Sequence, residues 1–335
     1  MKVFVSPCDT GEGIPGVLQG KAERLRYLYA LSNKTHTLVN DPESADIILV
    51  VLIREDPGAK RFLEHDLINK YPGRCFSISD ADHPLILHHG IYASGTKSLL
   101  AAGRVRSGSF TAYNSRFLNP YVQGHVPSPM DCARKEFLLT FVGRNCCDLR
   151  TLIFRLKFER PDILIEDSSN FDLWHGAQAG RSERQKHYYE TLLSSKFSLC
   201  PRGDGASSLR LFESMQLGVA PVIISDGWIF PKGPRWGDFS IILKQKQLGD
   251  LEKIVATHEH SYAEMGSLAR KAFDAYFAEN LYFDYIVANC VDIMRTQWIP
   301  EAFYWRLNPT ILALRKARAR LFHLARRALV RLAWT

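Results

Sequence analysis

Hydrophobic runs of four to eight residues alternate along this chain with longer segments whose apolar positions recur every three or four residues. That alternation is the pattern of parallel strands and the helices that cross between them. In the first part, Lys2–Ser6, Asp46–Ile53 and Cys75–Ser79 read as strands. Val17–Ser32 and a segment around Arg61–Lys70 read as helices, the first with Leu18, Ala22, Leu25, Leu28 and Tyr29 on one face. Pro120–Met130, with three prolines and a glycine, breaks the pattern and is a linker candidate. The alternation then resumes with strands at Phe137–Val142, Ile163–Glu166, Phe197–Cys200, Pro221–Ser225 and Ser240–Leu243. Helices are expected near Leu149–Phe158, Glu183–Ser195, Ser208–Leu217, Leu248–His258, Tyr262–Ala278 and Phe283–Trp298. The prediction is an α/β protein of two doubly wound domains, residues 1–130 and 131–300, followed by a segment 301–335.

The stretch Ser195–Pro231, SKFSLCPRGDGASSLRLFESMQLGVAPVIISDGWIFP, carries the densest chemistry. A buried strand ends at Pro201, Gly203 and Gly205 let backbone approach a ligand closely, and Ser207 and Ser208 are good helix caps. Gly218 is placed to stop that helix. A loop from a strand's carboxyl end into a helix N-terminus is where open α/β sheets bind phosphates. Arg210 and Glu213, three apart on one helix face, offer a cation for phosphate and a carboxylate for ribose hydroxyls.

CPRGDGASSLRLFESMQLGVAPVIISDGWIFP closely resembles the nucleotide-sugar half of exostosin-family glycosyltransferases, including the proline-arginine-glycine turn and the closing glycine-tryptophan. Phe141–Arg150, FVGRNCCDLR, resembles that family's upstream strand with its two arginines. The likeness runs over roughly residues 135–231. It implies a GT-B-like fold, two Rossmann-like domains facing across a cleft, the first for the acceptor and the second for the donor. It also implies a nucleotide-sugar donor, UDP-linked in expectation, a saccharide or lipid-linked saccharide acceptor, and inversion at the anomeric centre. On this reading Arg144, Arg150 and Arg202 surround the diphosphate, with Gly203, Ser207, Ser208 and Arg210 beside them. Glu213 holds the ribose, and Asp226 and Trp228 contact sugar or base, although Trp228 reads equally well as a core residue. Where the family has a second basic residue after the turn, this chain has Asp204.

A general base for the acceptor hydroxyl is expected from Asp82 or His83, with Glu12 and Asp9 competing for the role. The pair Asp80 and Asp82 also has the spacing of a divalent-metal site, but turn chemistry before Pro84 accounts for it. No metal and no cofactor besides the donor is expected. His88-His89 and Cys146-Cys147 lack ligand spacing and read as structural.

Composition narrows the reading. At 46% hydrophobic and 23% charged residues, the chain of 335 residues is globular. Seven cysteines without a C-x-x-C pair argue against a disulfide framework or zinc site. The opening MKVFVSPCDTGEG contains no apolar signal segment. A cytoplasmic protein at the inner face of the membrane is expected, unlike the family's anchored animal and plant members.

The net charge of +8 resides at the end of the chain. Residues 306–335 hold eight basic residues and no acid, leaving 35 basic against 35 acidic residues elsewhere. A neutral body argues against a nucleic-acid surface. Ile311, Leu314, Leu321, Ala325, Leu329 and Leu332 recur at helical spacing opposite Lys316, Arg320, Arg327 and Arg331. Residues 307–335 therefore read as a basic amphipathic helix for an anionic membrane surface. The alternative function is a non-catalytic membrane or nucleic-acid adaptor using that tail.

Overall fold

The structure, a computed structural model, describes residues 1–6, 15–51, 62–109, 118–128, 135–170 and 180–314, with backbone only for 15–19. Two entirely parallel sheets organise it. The first contains β1 (Lys2–Val5), β2 (Thr37–Leu38), β3 (Ile47–Val51), β4 (Cys75–Ser79), β5 (Gly90–Tyr92) and β6 (Val105–Arg106), in the order β2-β1-β3-β4-β5-β6. The second contains β7 (Phe137–Gly143), β8 (Ile163–Asp167), β9 (Ser195–Pro201), β10 (Ala220–Ile224) and β11 (Ile241–Leu243), in the order β11-β10-β9-β7-β8. Strands β3 and β10 are buried at every residue, as continuous apolar runs in a sheet covered on both faces must be. This is the expected α/β architecture of two doubly wound parallel sheets.

Each sheet reverses its winding once, between β1 and β3 and again between β7 and β9. The crevice beyond the strands' carboxyl ends at such a reversal is where open α/β sheets hold ligands.

The crossovers in the first half are α1 (Pro15–Leu31) and α2 (Asp66–Lys70). A short α3 (Pro120–Gln123), capped by the Asn119 side chain, lies within the expected linker. It is tied to the second half, since Asn119 Nδ2 donates to the Gln185 carbonyl at 2.9 Å. There follow α4 (Asp148–Arg155), α5 (Arg181–Leu193), α6 (Leu209–Gln216), α7 (Leu251–Thr257), α8 (Tyr262–Tyr276) and α9 (Glu279–Thr296). Gly218, at φ +67°, ends α6 in the left-handed conformation that glycine adopts without strain.

Helix α8 packs on α6 and β10, whereas α9 returns to α1 and β5 of the first half. Residues 301–314 form a further helix, α10, on the same half. Its Glu301 carboxylate pairs with Arg104, Trp305 Nε1 donates to Asn69 Oδ1 at 2.8 Å, and Asn308 Nδ2 donates to the Leu87 carbonyl at 2.7 Å. The front of the charged tail is thus a packed element, while residues 315–335 lie outside the described residues.

The halves are also joined directly. Thr96 and Trp228 form an antiparallel bridge, flanked by Lys97 N to Gly227 O at 2.7 Å and Ile229 N to Gly95 O at 2.9 Å. One apolar cluster runs from Val3 and Ile78 through Ala93 and Trp228 to Leu211 and Ile223, so the two sheets share core.

Candidate active site

At the β7–β9 reversal, Arg144 follows the end of β7 and Arg202 follows the end of β9. Arg144 is exposed and Arg202 half-buried. Arg150, one turn into α4, lies beneath both. Its Nε donates to Arg202 O at 3.0 Å, Nη1 to Arg144 O at 3.0 Å and Nη2 to Pro201 O at 3.4 Å. The two loops are therefore laced together by a single guanidinium. Burial and the neighbouring Arg210 charge push the pKa of Arg150 down to about 10. The residue is 9% exposed, and its hydrogen bonds go to backbone carbonyls, so surface solvation is not its role.

Arg210 and Glu213 lie under the same loops. The Arg210 guanidinium binds the Val142 carbonyl and stacks over the Phe141 ring at 4.5 Å. Its buried Nε has no hydrogen-bond partner. Glu213 is buried and accepts from Tyr188 Oη at 2.6 Å. Burial pushes its carboxyl up, an effect partly offset by the Tyr188 hydrogen bond and the Arg210 charge. Tyr188 was missed from sequence, since it precedes its partner by 25 residues on another helix.

The loop between Arg202 and α6 turns toward the first half. Arg202 Nη1 donates to Gly203 O at 3.1 Å. Ser207 N donates to Ser94 Oγ at 3.3 Å, while the buried Ser207 Oγ has no hydrogen-bond partner. Ser208 is the N-cap of α6 by position, without a side-chain capping bond. Gly205 touches Asp82, and a Cβ there would meet Asp82 O and Oδ1 at 2.7 Å. Beside it, His83 Nε2 lies 3.2 Å from Asp204 Oδ1. Asp204, which replaces the family's second basic residue, thus faces His83.

Asp82 retains exposed surface, yet its carboxyl is crowded by the loop laid over it. That burial, together with the Asp204 charge, pushes its pKa up, and the Gly205 N–H hydrogen bond partly offsets the rise. Asp80 is taken by an ion pair with Lys21 of α1, so the two carboxylates engage separate partners. Among the described residues no group of three His, Cys, Asp or Glu side chains is placed to hold a metal ion. Glu12 and Asp9 lie outside the described residues.

Asp226 stands at the end of β10 and accepts from Gln245 N at 3.3 Å. It borders a depression of about 610 Å³ whose other walls are Leu152 and Arg155 of α4, Leu156 just after it, and Gln245, Lys246, Leu248 and Gly249. The expected contact from Trp228 to sugar or base is corrected. The indole is 1% exposed, enclosed by Phe230 and Trp236, and donates Nε1–H to Ala93 O at 3.0 Å. It fastens the two halves. His88 and His89 are buried, with His89 Nε2 2.6 Å from Cys75 O, as structural residues.

Comparison with known proteins agrees with this reading of the second half. The chain is 27% identical over 157 residues to an Exostosin-1 homolog of Caenorhabditis elegans, covering 43% of the chain and 41% of that protein. It is 40% identical over 75 residues to a probable glucuronoxylan glucuronosyltransferase of Arabidopsis thaliana, 22% of the chain and 17% of the relative. The chain thus spans less than half the length of these curated relatives. Among solved structures it is similar to WaaG, a glycosyltransferase involved in lipopolysaccharide biosynthesis, at 12% identity and a TM-score of 0.37, over 88% of this chain and 99% of the other. The sequence model of the Exostosin GT47 domain matches residues 105–258, from β6 through all of the second sheet to α7. The part of the chain that carries the arginine-laced reversal thus matches the Exostosin GT47 domain.

Proposed function

We propose that this chain transfers a glycosyl group from a nucleotide-sugar donor, UDP-linked, to a saccharide acceptor. The observation that carries the reading is the placement of Arg144 and Arg202 at the carboxyl ends of the two strands bordering the reversal, above the buried Arg150. Cations fixed where a diphosphate leaves stabilise charge that develops only in the transition state. Arginine supplies it through a planar, permanently charged fork.

In the inverting form of the reaction, the acceptor oxygen attacks the anomeric carbon as its bond to the diphosphate oxygen breaks. The acceptor proton passes to Asp82, or to His83 beside it, and the electron pair leaves with the nucleoside diphosphate. A base must lie within reach of both acceptor and donor. The contact of Asp82 with Gly205, in the loop after Arg202, supports that role. The arginines stand in place of a divalent cation at the leaving group. The acceptor is a lipid-linked saccharide in surface polysaccharide or lipopolysaccharide assembly. The basic tail 307–335 holds the protein at the inner face of the membrane.

A screen of nucleotide sugars by thermal shift tests the donor assignment, because a ligand bound only by the native state raises its apparent stability. A UDP-sugar is expected to raise Tm in the wild type and to fail in Arg202→Ala. Equal shifts in both proteins would overturn the site.

A further inference from the structure

Helix α10 has two unlike faces. Glu301, Trp305 and Asn308, spaced by four and three residues, are buried against the first half. Phe303, Leu307 and Leu314, spaced by four and seven, point the other way, with Phe303 55% and Leu314 66% exposed. Just before the helix, Trp298 is 98% exposed, and Met294, one turn earlier, is exposed as well. Scattered single apolar residues on a surface need no explanation. A tryptophan and a phenylalanine leading into a stripe at helical spacing are a different matter, since the helix already buries its opposite face.

We infer that this outward surface, led by Trp298 and Phe303, docks on an anionic lipid bilayer at the depth of its headgroups. The inference rests on the membrane reading proposed above and adds to it an apolar anchor separate from the tail's charge. Charge complementarity identifies the partner, because residues 306–335 contain eight basic residues and no acidic one. In the sequence, the spacing of Phe303, Leu307 and Leu314 is continued by Leu321, Ala325 and Leu332, while Lys316, Arg320, Arg327 and Arg331 fall elsewhere. An apolar stripe beside unopposed arginines suits a negatively charged interface, where aromatic rings settle at headgroup level. Among the described residues no helix is long and apolar enough to cross a membrane, so this contact is one of lying on the surface.

The test uses the full chain and vesicles of phosphatidylcholine with or without phosphatidylglycerol. Wild type is expected to sediment with the anionic vesicles only. The double variant Trp298→Ser/Phe303→Ser keeps every charge, and both sites are exposed. It is expected to lose at least tenfold in vesicle affinity while keeping the wild-type Tm. A blue shift of tryptophan emission on anionic vesicles should be absent in Trp298→Phe. Binding by the double variant equal to wild type would overturn the anchor while leaving the charged tail as the membrane contact. No binding by either protein would overturn both. Wild-type dimers that the double variant abolishes, without vesicle binding, would assign the face to a second copy of the chain.

Discussion

Gly205 of the donor loop lies against Asp82 of the first half so closely that a Cβ on it would sit 2.7 Å from Asp82 Oδ1 and 2.4 Å from Ser94 Oγ. The loop after Arg202 and the candidate base therefore lie in direct contact between the two halves. Gly205→Ala must push them apart, because Asp82 O is backbone and cannot rotate away. A displacement near 1 Å between reacting groups costs about 100-fold in rate. Steady-state kinetics are expected to show kcat reduced on that scale, with donor KM changed far less. Wild-type kcat in a folded Gly205→Ala protein would remove Asp82 from the reaction.

Arg202 and Arg150 are expected to fail in different ways. Arg202→Ala should weaken UDP binding by about 1.5–3 kcal/mol, the scale of a charged hydrogen bond, with little change in Tm. Arg150→Ala removes a donor from three backbone carbonyls, and a buried carbonyl left unsatisfied costs about 1–3 kcal/mol. Arg150→Ala should therefore lower Tm and loosen UDP together. Calorimetric titration beside thermal denaturation separates the two variants. An Arg150→Ala protein with wild-type Tm would contradict the lacing described here.

The rate should depend on an aspartate that titrates above its ordinary range. A general base works only when deprotonated, so activity is expected to fall as pH drops through the raised Asp82 value. Burial and the Asp204 charge both hold that value up. Asp204→Asn removes one of them, so the acidic limb of kcat/KM should move to lower pH. A limb that stays in place in Asp204→Asn, or persists in Asp82→Asn, would assign the base elsewhere.

On the proposed reading arginines stand in place of a cation at the leaving group, so activity is expected to survive exhaustive chelation. Loss of turnover after chelation, restored by manganese, would reverse that expectation.

Truncation of the tail should be tolerated only to a point. Asn308, Trp305 and Glu301 are buried on the first half. The hydrogen bonds and charge of Arg104 outweigh burial and hold the Glu301 carboxyl below its ordinary value. A chain ending at Leu314 should keep its Tm. One ending before Glu301 strands the buried Arg104, and breaking such a pair costs about 3–5 kcal/mol. With its folded value depressed, Glu301 stabilises the protein above the ordinary glutamate range, and that contribution is lost as pH falls through the depressed value. Glu301→Gln should therefore flatten the acid side of the stability curve. Equal Tm for both truncations would show that α10 is dispensable to the fold.

Much of the architecture is legible in the chain because parallel strands buried on both faces are continuous apolar runs. Ile47–Val51 and Ala220–Ile224 announce themselves in this way. Thr37–Leu38 and Val105–Arg106 do not, since two residues carry no periodicity and owe their state to the neighbouring strand. Arg144 and Arg202 were legible because each directly follows a strand. The role of Arg150 was not, because a guanidinium that binds backbone carbonyls leaves no partner residue type in the sequence. Trp228 was undecidable for a related reason: aromatic rings serve cores and sugar platforms alike, and only its enclosure by Phe230 and Trp236 separates the two. The Tyr188–Glu213 contact depends on how two helices cross, which neither helix encodes alone.

The bridge at Thr96 and Trp228 has a mechanical consequence. Its backbone bonds and the indole bond to Ala93 lie a few residues from Ser94, which meets Ser207 of the donor loop. Any movement of one sheet against the other that preserves these bonds must pivot on them. A pivot beside the reacting groups gives small displacements there and large ones at the far rims. The contact between Gly205 and Asp82 would therefore change least in any such movement.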